Sequence, residues 1–143
     1  MGQALQLIEK WWSAFEAGDL EAAGSYTAAD CEITMPGMGT IDKNTLLTQV
    51  LPAYRAGFPD LSHETVDAVE AGDRVAVRLR ITMTHTGPFA TPQGEVPPTG
   101  RTVVLESSDV ITVADGKITV WHTYFDQMSM LGQLGLLPAP AGA

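Results

Sequence analysis

Two alternating runs meet at Asp115-Gly116, and the polar side chains along them are of types that move protons. Asp-Gly between such runs is a strong hairpin signal. As a two-residue turn it sets Ala114 opposite Lys117. Counting outward then pairs Val113 with Ile118, Ile111 with Val120, Asp109 with His122, Ser107 with Tyr124, and Leu105 with Asp126. Alternation places all of these on one face. That face is apolar beside the turn and polar further out, a pattern suited to a pocket. Asp109 and His122 are expected with Cβ atoms ~5 Å apart, within reach of a carboxylate–imidazole hydrogen bond. His122 and Asp126 are ~13 Å apart along a straight strand, and so address two ends of a multi-ring molecule. The alternatives are a purely structural Asp–His pair and, for Asp126, a helix N-cap.

The opposite face of this hairpin carries Val110, Trp121 and Phe125 among Thr112, Thr119 and Thr123. If the first face lines a cavity, this one is external and calls for a partner, so a homodimer is expected. The preceding strand, Arg74 to Thr86, alternates Val75, Val77, Leu79, Ile81 and Met83 on one face. His85 continues that face and is expected to point inward, either as a pocket donor or as a hydrogen-bonded core residue. His63 is expected to be partly exposed. Three scattered histidines lack the spacing of a zinc site, so no metal is expected.

These strands need elements to enclose them. Leu5, Ile8, Trp12 and Phe15 recur at helical spacing between Gln3 and Ala17. Asp19 is placed to cap a short helix over Leu20 to Tyr26, and Asp42 a third over Lys43 to Ala56. Cys31 to Met35 reads as a short strand, and Leu61 to Glu70 as another. Gly87 to Gly100, with four prolines, reads as a long loop, and loops of that length are often functional. Trp12, Phe15, Met35, Met38 and Phe58 are expected to line a cavity that favours aromatic ligands, with core packing as the alternative role. Helices first and long strands after indicate α+β: a curved antiparallel sheet with helices on its concave face, forming a cone-shaped pocket. One domain over residues 1–137 and a disordered tail over 138–143 are expected.

Composition bounds the rest. The 143 residues carry 8 Lys plus Arg against 17 Asp plus Glu, a net charge of −9. Such a surface repels phosphate backbones and anionic membranes, so neither nucleic acid nor membrane is an expected partner. One cysteine, Cys31, allows neither an internal disulfide nor a multi-cysteine metal site, and a buried structural thiol is expected. The N-terminal stretch has no basic region followed by an apolar run, so the cytoplasm is the expected location.

FPDL (Phe58 to Leu61), AGDRVAVR (Ala71 to Arg78), THTG (Thr84 to Gly87), PPTGR (Pro97 to Arg101), DGKI (Asp115 to Ile118) and DQMSMLGQLG (Asp126 to Gly135) occur in this order. Together they resemble the SnoaL-like polyketide cyclase family of the nuclear transport factor 2-like superfamily. The resemblance implies an α+β cone and a cofactor-independent intramolecular aldol closure of a hydrophobic polyketide. It also implies that Asp126 is the general acid/base. His122, oriented by Asp109, then stands as the group that polarises a carbonyl or shuttles a proton, and His85, Tyr124 and Ser107 as the rest of the polar wall. The same fold hosts epoxide hydrolases, dehydratases, isomerases and cofactor-free hydroxylases, and a non-catalytic binding module is a further alternative.

Overall fold

A computed structural model describes residues 2–137, and the expected tail over 138–143 lies outside them. Helix α1 (Gln3–Glu16) buries Leu5, Ile8, Trp11, Trp12 and Phe15 along one side. Its N-cap residue, Gly2, offers no side-chain acceptor. Glu70 supplies one from a distant strand, accepting from the Gly2 N–H at 2.7 Å and the Leu5 N–H at 2.9 Å. Helix α2 (Leu20–Ser25) is capped as expected, by Asp19 accepting from the Ala22 N–H. Strand β1 runs over Thr27–Met35, four residues earlier than expected, and pairs with short β2 (Gly39–Ile41).

Asp42 caps the next helical segment through the Thr45 N–H at 2.8 Å. This segment is not one regular helix: α3 (Lys43–Thr45) passes into a π turn over Leu46–Val50 and then into α4 (Leu51–Gly57). Pro52 gives the physical reason. It has no N–H for the preceding turn and its ring crowds that turn's carbonyl, so the wider winding relieves the misfit.

The remaining strands are β3 (Ser62–Ala71), β4 (Arg74–Thr84), β5 (Phe89–Thr91), β6 (Gly94–Val96), β7 (Thr102–Ala114) and β8 (Lys117–Phe125). Helix α5 (Gln127–Gln133) follows. The main sheet has the order β2-β1-β8-β7-β4-β3 and is curved and unclosed. It is mixed, since β1 and β8 run parallel and the other neighbours antiparallel. The α+β class is as expected, with this one parallel pairing added. Within the stretch read as a long loop, β5 and β6 form a separate hairpin.

The turn at Asp115-Gly116 forms as expected, with both residues at positive φ (53° and 72°) and Ala114 opposite Lys117. The register beyond it does not follow the simple count. Val113 faces Ile118, but Thr112 faces Val120, so Thr119 is an extra residue in a β-bulge. Its hydroxyl donates to the Thr112 carbonyl at 3.2 Å. One extra residue inverts the facing of everything after it. Asp109 therefore faces Thr123, Ile111 faces Trp121, and Val110 faces His122. Trp121 is buried, while the exposed outer face shows Val69, Val104, Val110 and Tyr124. This corrects the expectation that Trp121 belongs to the outer face.

Candidate functional site

Between α1, the π turn and α4 on one side and the inner face of β4, β7 and β8 on the other lies a cavity of about 110 Å³. One ordered water needs only ~10–15 Å³, so the space admits a small organic molecule or part of a larger one. Trp11, Trp12, Phe15, Tyr54, Trp121 and Phe125 give it aromatic walls, and Met35 and Met83 adaptable ones. Trp11 packs edge-on against both Trp12 (centroids 5.3 Å) and Trp121 (4.7 Å), which fixes the slot's shape. Burial pushes the Tyr54 phenol up to about 12, so it stays protonated.

The polar groups among these walls are few. Asp109 lies at the cavity and is 2% exposed. Its Oδ2 accepts from the Trp121 Nε1–H at 2.8 Å and its Oδ1 from the Thr123 hydroxyl at 2.9 Å. Burial raises the Asp109 carboxyl above its ordinary value, and donors from Trp121, Thr123 and Ser107 pull it partway back. The Ser107 hydroxyl is itself buried without a well-formed hydrogen bond. So is the Nε1–H of Trp12. The site thus combines one carboxyl, which no cation among the described residues neutralises, with donors that lack a full complement of acceptors.

Of the residues expected at the site, Asp109, Ser107, Trp12, Phe15 and Met35 line this cavity. His122, Tyr124, Asp126, His85, Met38 and Phe58 are not among its lining residues. The bulge turns His122 outward, where its Nε2 meets Glu32 Oε2 at 2.6 Å, so the expected Asp109–His122 pair does not form. Tyr124 is on the same outer face and 56% exposed. Asp126 is exposed and caps α5, accepting from the Ser129 N–H at 3.0 Å. His85 does point inward, but beyond the cavity, packed on Phe58 with centroids 5.1 Å apart. Its Nδ1 accepts from the Thr99 N–H at 3.1 Å, which leaves Nε2 as the protonated nitrogen. Burial holds its pKa below the ordinary value. Phe58 is fully buried between Tyr54 and Phe89, and Met38 packs partly buried against the core.

Trp121, Phe125, Thr123, Trp11 and Tyr54 are among the lining residues that the sequence reading missed. A signal for the first two exists: the unbulged count sends Trp121 and Phe125 to the surface and His122 and Tyr124 inside, an unfavourable exchange of apolar area. Cys31 is buried, and burial together with Asp30 and Glu32 pushes its thiol up to about 11, away from thiolate chemistry. Among the described residues no cluster of His, Cys, Asp or Glu is placed to hold a metal ion, and no helix is long and apolar enough to cross a membrane.

A curved, unclosed mixed sheet with helices packed over an aromatic cavity is the nuclear transport factor 2-like fold. The SnoaL-like polyketide cyclase model matches residues 4–134, and the chain belongs to that family. No curated protein matches the sequence. Among solved structures, IdmH of Streptomyces antibioticus, a candidate polyketide cyclase, is 33% identical with a TM-score of 0.78, covering 94% of this chain and 99% of its own. AclR of Streptomyces galilaeus, a candidate hydroxylase, is 24% identical with a TM-score of 0.80, covering 96% and 89%. TsrD of Streptomyces laurentii is 21% identical with a TM-score of 0.78, covering 94% and 96%. The last two share the fold.

Proposed function

We propose that this protein is a polyketide cyclase-like enzyme that closes a ring in a hydrophobic, carbonyl-bearing substrate, with Asp109 as the proton-transfer group. The observation that carries this reading is the buried, un-neutralised carboxyl of Asp109 in an otherwise aromatic cavity. Desolvation makes the carboxylate a stronger base there than in water. It takes a proton from carbon next to a substrate carbonyl. The electron pair left behind makes an enolate, whose oxygen accepts from the free Nε1–H of Trp12. The enolate carbon attacks a second carbonyl carbon of the same molecule, forming the ring bond. The new alkoxide oxygen recovers the proton from Asp109, leaving a β-hydroxy ketone and the carboxylate restored. Family membership and the likeness to IdmH support this class of reaction. The resemblance assigns the acid/base role to Asp126, whereas the cavity favours Asp109.

The test is a minimal one. 1-Indanone in deuterated water reports base-catalysed enolisation as deuterium uptake beside its carbonyl, read by proton NMR. The protein accelerates uptake and Asp109→Asn does not. Equal acceleration by that variant would overturn the reading.

A further inference from the structure

Outside the cavity, three ionisable side chains gather behind one of its walls. On α1, Glu9, Trp12 and Glu16 follow at spacings of three and four, which puts them on one helix face. That face meets His63 on β3. The His63 Nδ1 lies 2.5 Å from Glu16 Oε1 and its Nε2 lies 2.9 Å from Glu9 Oε2. The His63 backbone N–H also donates to Glu16 Oε1, at 2.7 Å, and Thr65 donates its hydroxyl to the other oxygen of Glu9. Glu9 is held below the ordinary carboxylate value: burial works against this, but Thr65 and His63 together outweigh it. Ionised carboxylates only accept, so an imidazole held between two of them donates from both nitrogens as an imidazolium.

The ring of His63 lies flat on Trp12, with centroids 4.9 Å apart and planes 19° from parallel. Trp12 is both the indole that lines the cavity and the one whose Nε1–H is buried without an acceptor. His63 is opposite Ile81, another lining residue, so the stack backs the cavity wall directly. A cation over an indole face draws on its π electrons and makes its N–H a stronger donor.

We propose that His63, clamped between Glu9 and Glu16, is a positioning residue that acts through Trp12: it fixes the indole plane and strengthens its N–H toward a carbonyl oxygen in the cavity. The proposal rests on the reading that the cavity takes carbonyl compounds. The clamp sets a selectivity, that of ketone over hydrocarbon of the same shape, and leaves the cavity's affinity for apolar rings untouched.

1-Indanone and indane differ at the carbonyl alone, and their binding is measured by NMR titration together with the Trp12 indole N–H resonance. The expected result is that the protein prefers 1-indanone about five- to tenfold, a span typical of one net hydrogen bond. The indole N–H should move downfield on adding 1-indanone but not indane. In Trp12→Phe the preference falls to near unity. In the Glu9→Gln/Glu16→Gln double variant, whose changed side chains are about a third exposed, it falls to about twofold while indane binds as before. His63→Phe keeps the flat stack without the charge and gives the same loss of preference. A merely structural role would shift both ligands together. An intact preference in the double variant and in His63→Phe overturns this proposal and leaves the carbonyl reading standing. No preference in the unaltered protein overturns both.

Discussion

Asp109 and Asp126 have the same side chain, and both belong to the β7–β8 end of the sheet, yet their surroundings are opposite. Asp109 is 2% exposed, takes its hydrogen bonds from Trp121 and Thr123, and is raised by burial. Asp126 is exposed and bonds the first turn of α5. A carboxyl of the first kind is a tool for moving protons in an apolar space, and one of the second is a clasp for a helix. What separates them is which way the backbone turns them, which residue type alone does not reveal.

The contrast can be broken most sharply by exchanging amides for acids. Asp109→Asn is expected to slow 1-indanone deuteration by ~10²–10⁴-fold, the usual contribution of a general base. Asp126→Asn, an equally good cap, is expected to leave the rate unchanged. A reversed result would restore Asp126 to the role the resemblance implies.

Next in size is the bulge that decides the facing. Deleting Thr119 removes the extra residue and keeps Thr112 opposite Val120 and Ile111 opposite Trp121, so Trp121 should stay inward. Trp121→Ala, which empties that inward position, is expected to cost at least ~3 kcal/mol, the scale of losing a buried Trp, in urea unfolding. Trp121→Phe is gentler. It leaves Asp109 Oδ2 without a donor, expected to cost ~1–3 kcal/mol and to raise the Asp109 pKa further. The acid limb of the deuteration rate should then move to higher pH, because the carboxylate is the active form and protonation removes it. A limb that stays in place would separate Asp109 from the rate.

The outer pair gives the smallest effect. Its partners His122 and Glu32 are partly exposed, so Glu32→Gln should change stability by less than ~1 kcal/mol and leave deuteration unaffected. A large loss of rate would return His122 to the site. Acid also tests the interior histidine. The folded-state pKa of His85 is below 6.5, so the unfolded chain binds the proton more readily. Its contribution to stability is therefore complete above pH 6.5 and falls as pH drops through the window below it. In His85→Gln the slope of unfolding free energy over that window should flatten.

Much of this architecture was legible from residue order. The inner alternation of β4, the caps at Asp19 and Asp42, and the turn at Asp115-Gly116 are all local, and local rules predict them. The bulge was not legible in the same way, because Thr119 and Val120 are ordinary strand residues and no glycine marks the irregularity. Only the competition between burying Trp121 and burying His122 settles it, and that is a property of the assembled sheet. Asp109 was therefore found as a site candidate with the wrong partner. The π turn was missed because a long apolar pattern looked continuous across Pro52. The Glu9–His63–Glu16 clamp joins α1 to β3 across more than forty residues, so no short spacing announces it.

The capping of α1 by Glu70 bears on the order in which the molecule takes shape. An isolated helix of this length is marginal in water, and this one has no acceptor of its own at Gly2. Its first turn is completed only when β3 is in place to present Glu70. The helix that bears Trp12 and the strand that bears His63 therefore mature together, and neither side of the clamp is finished without the other.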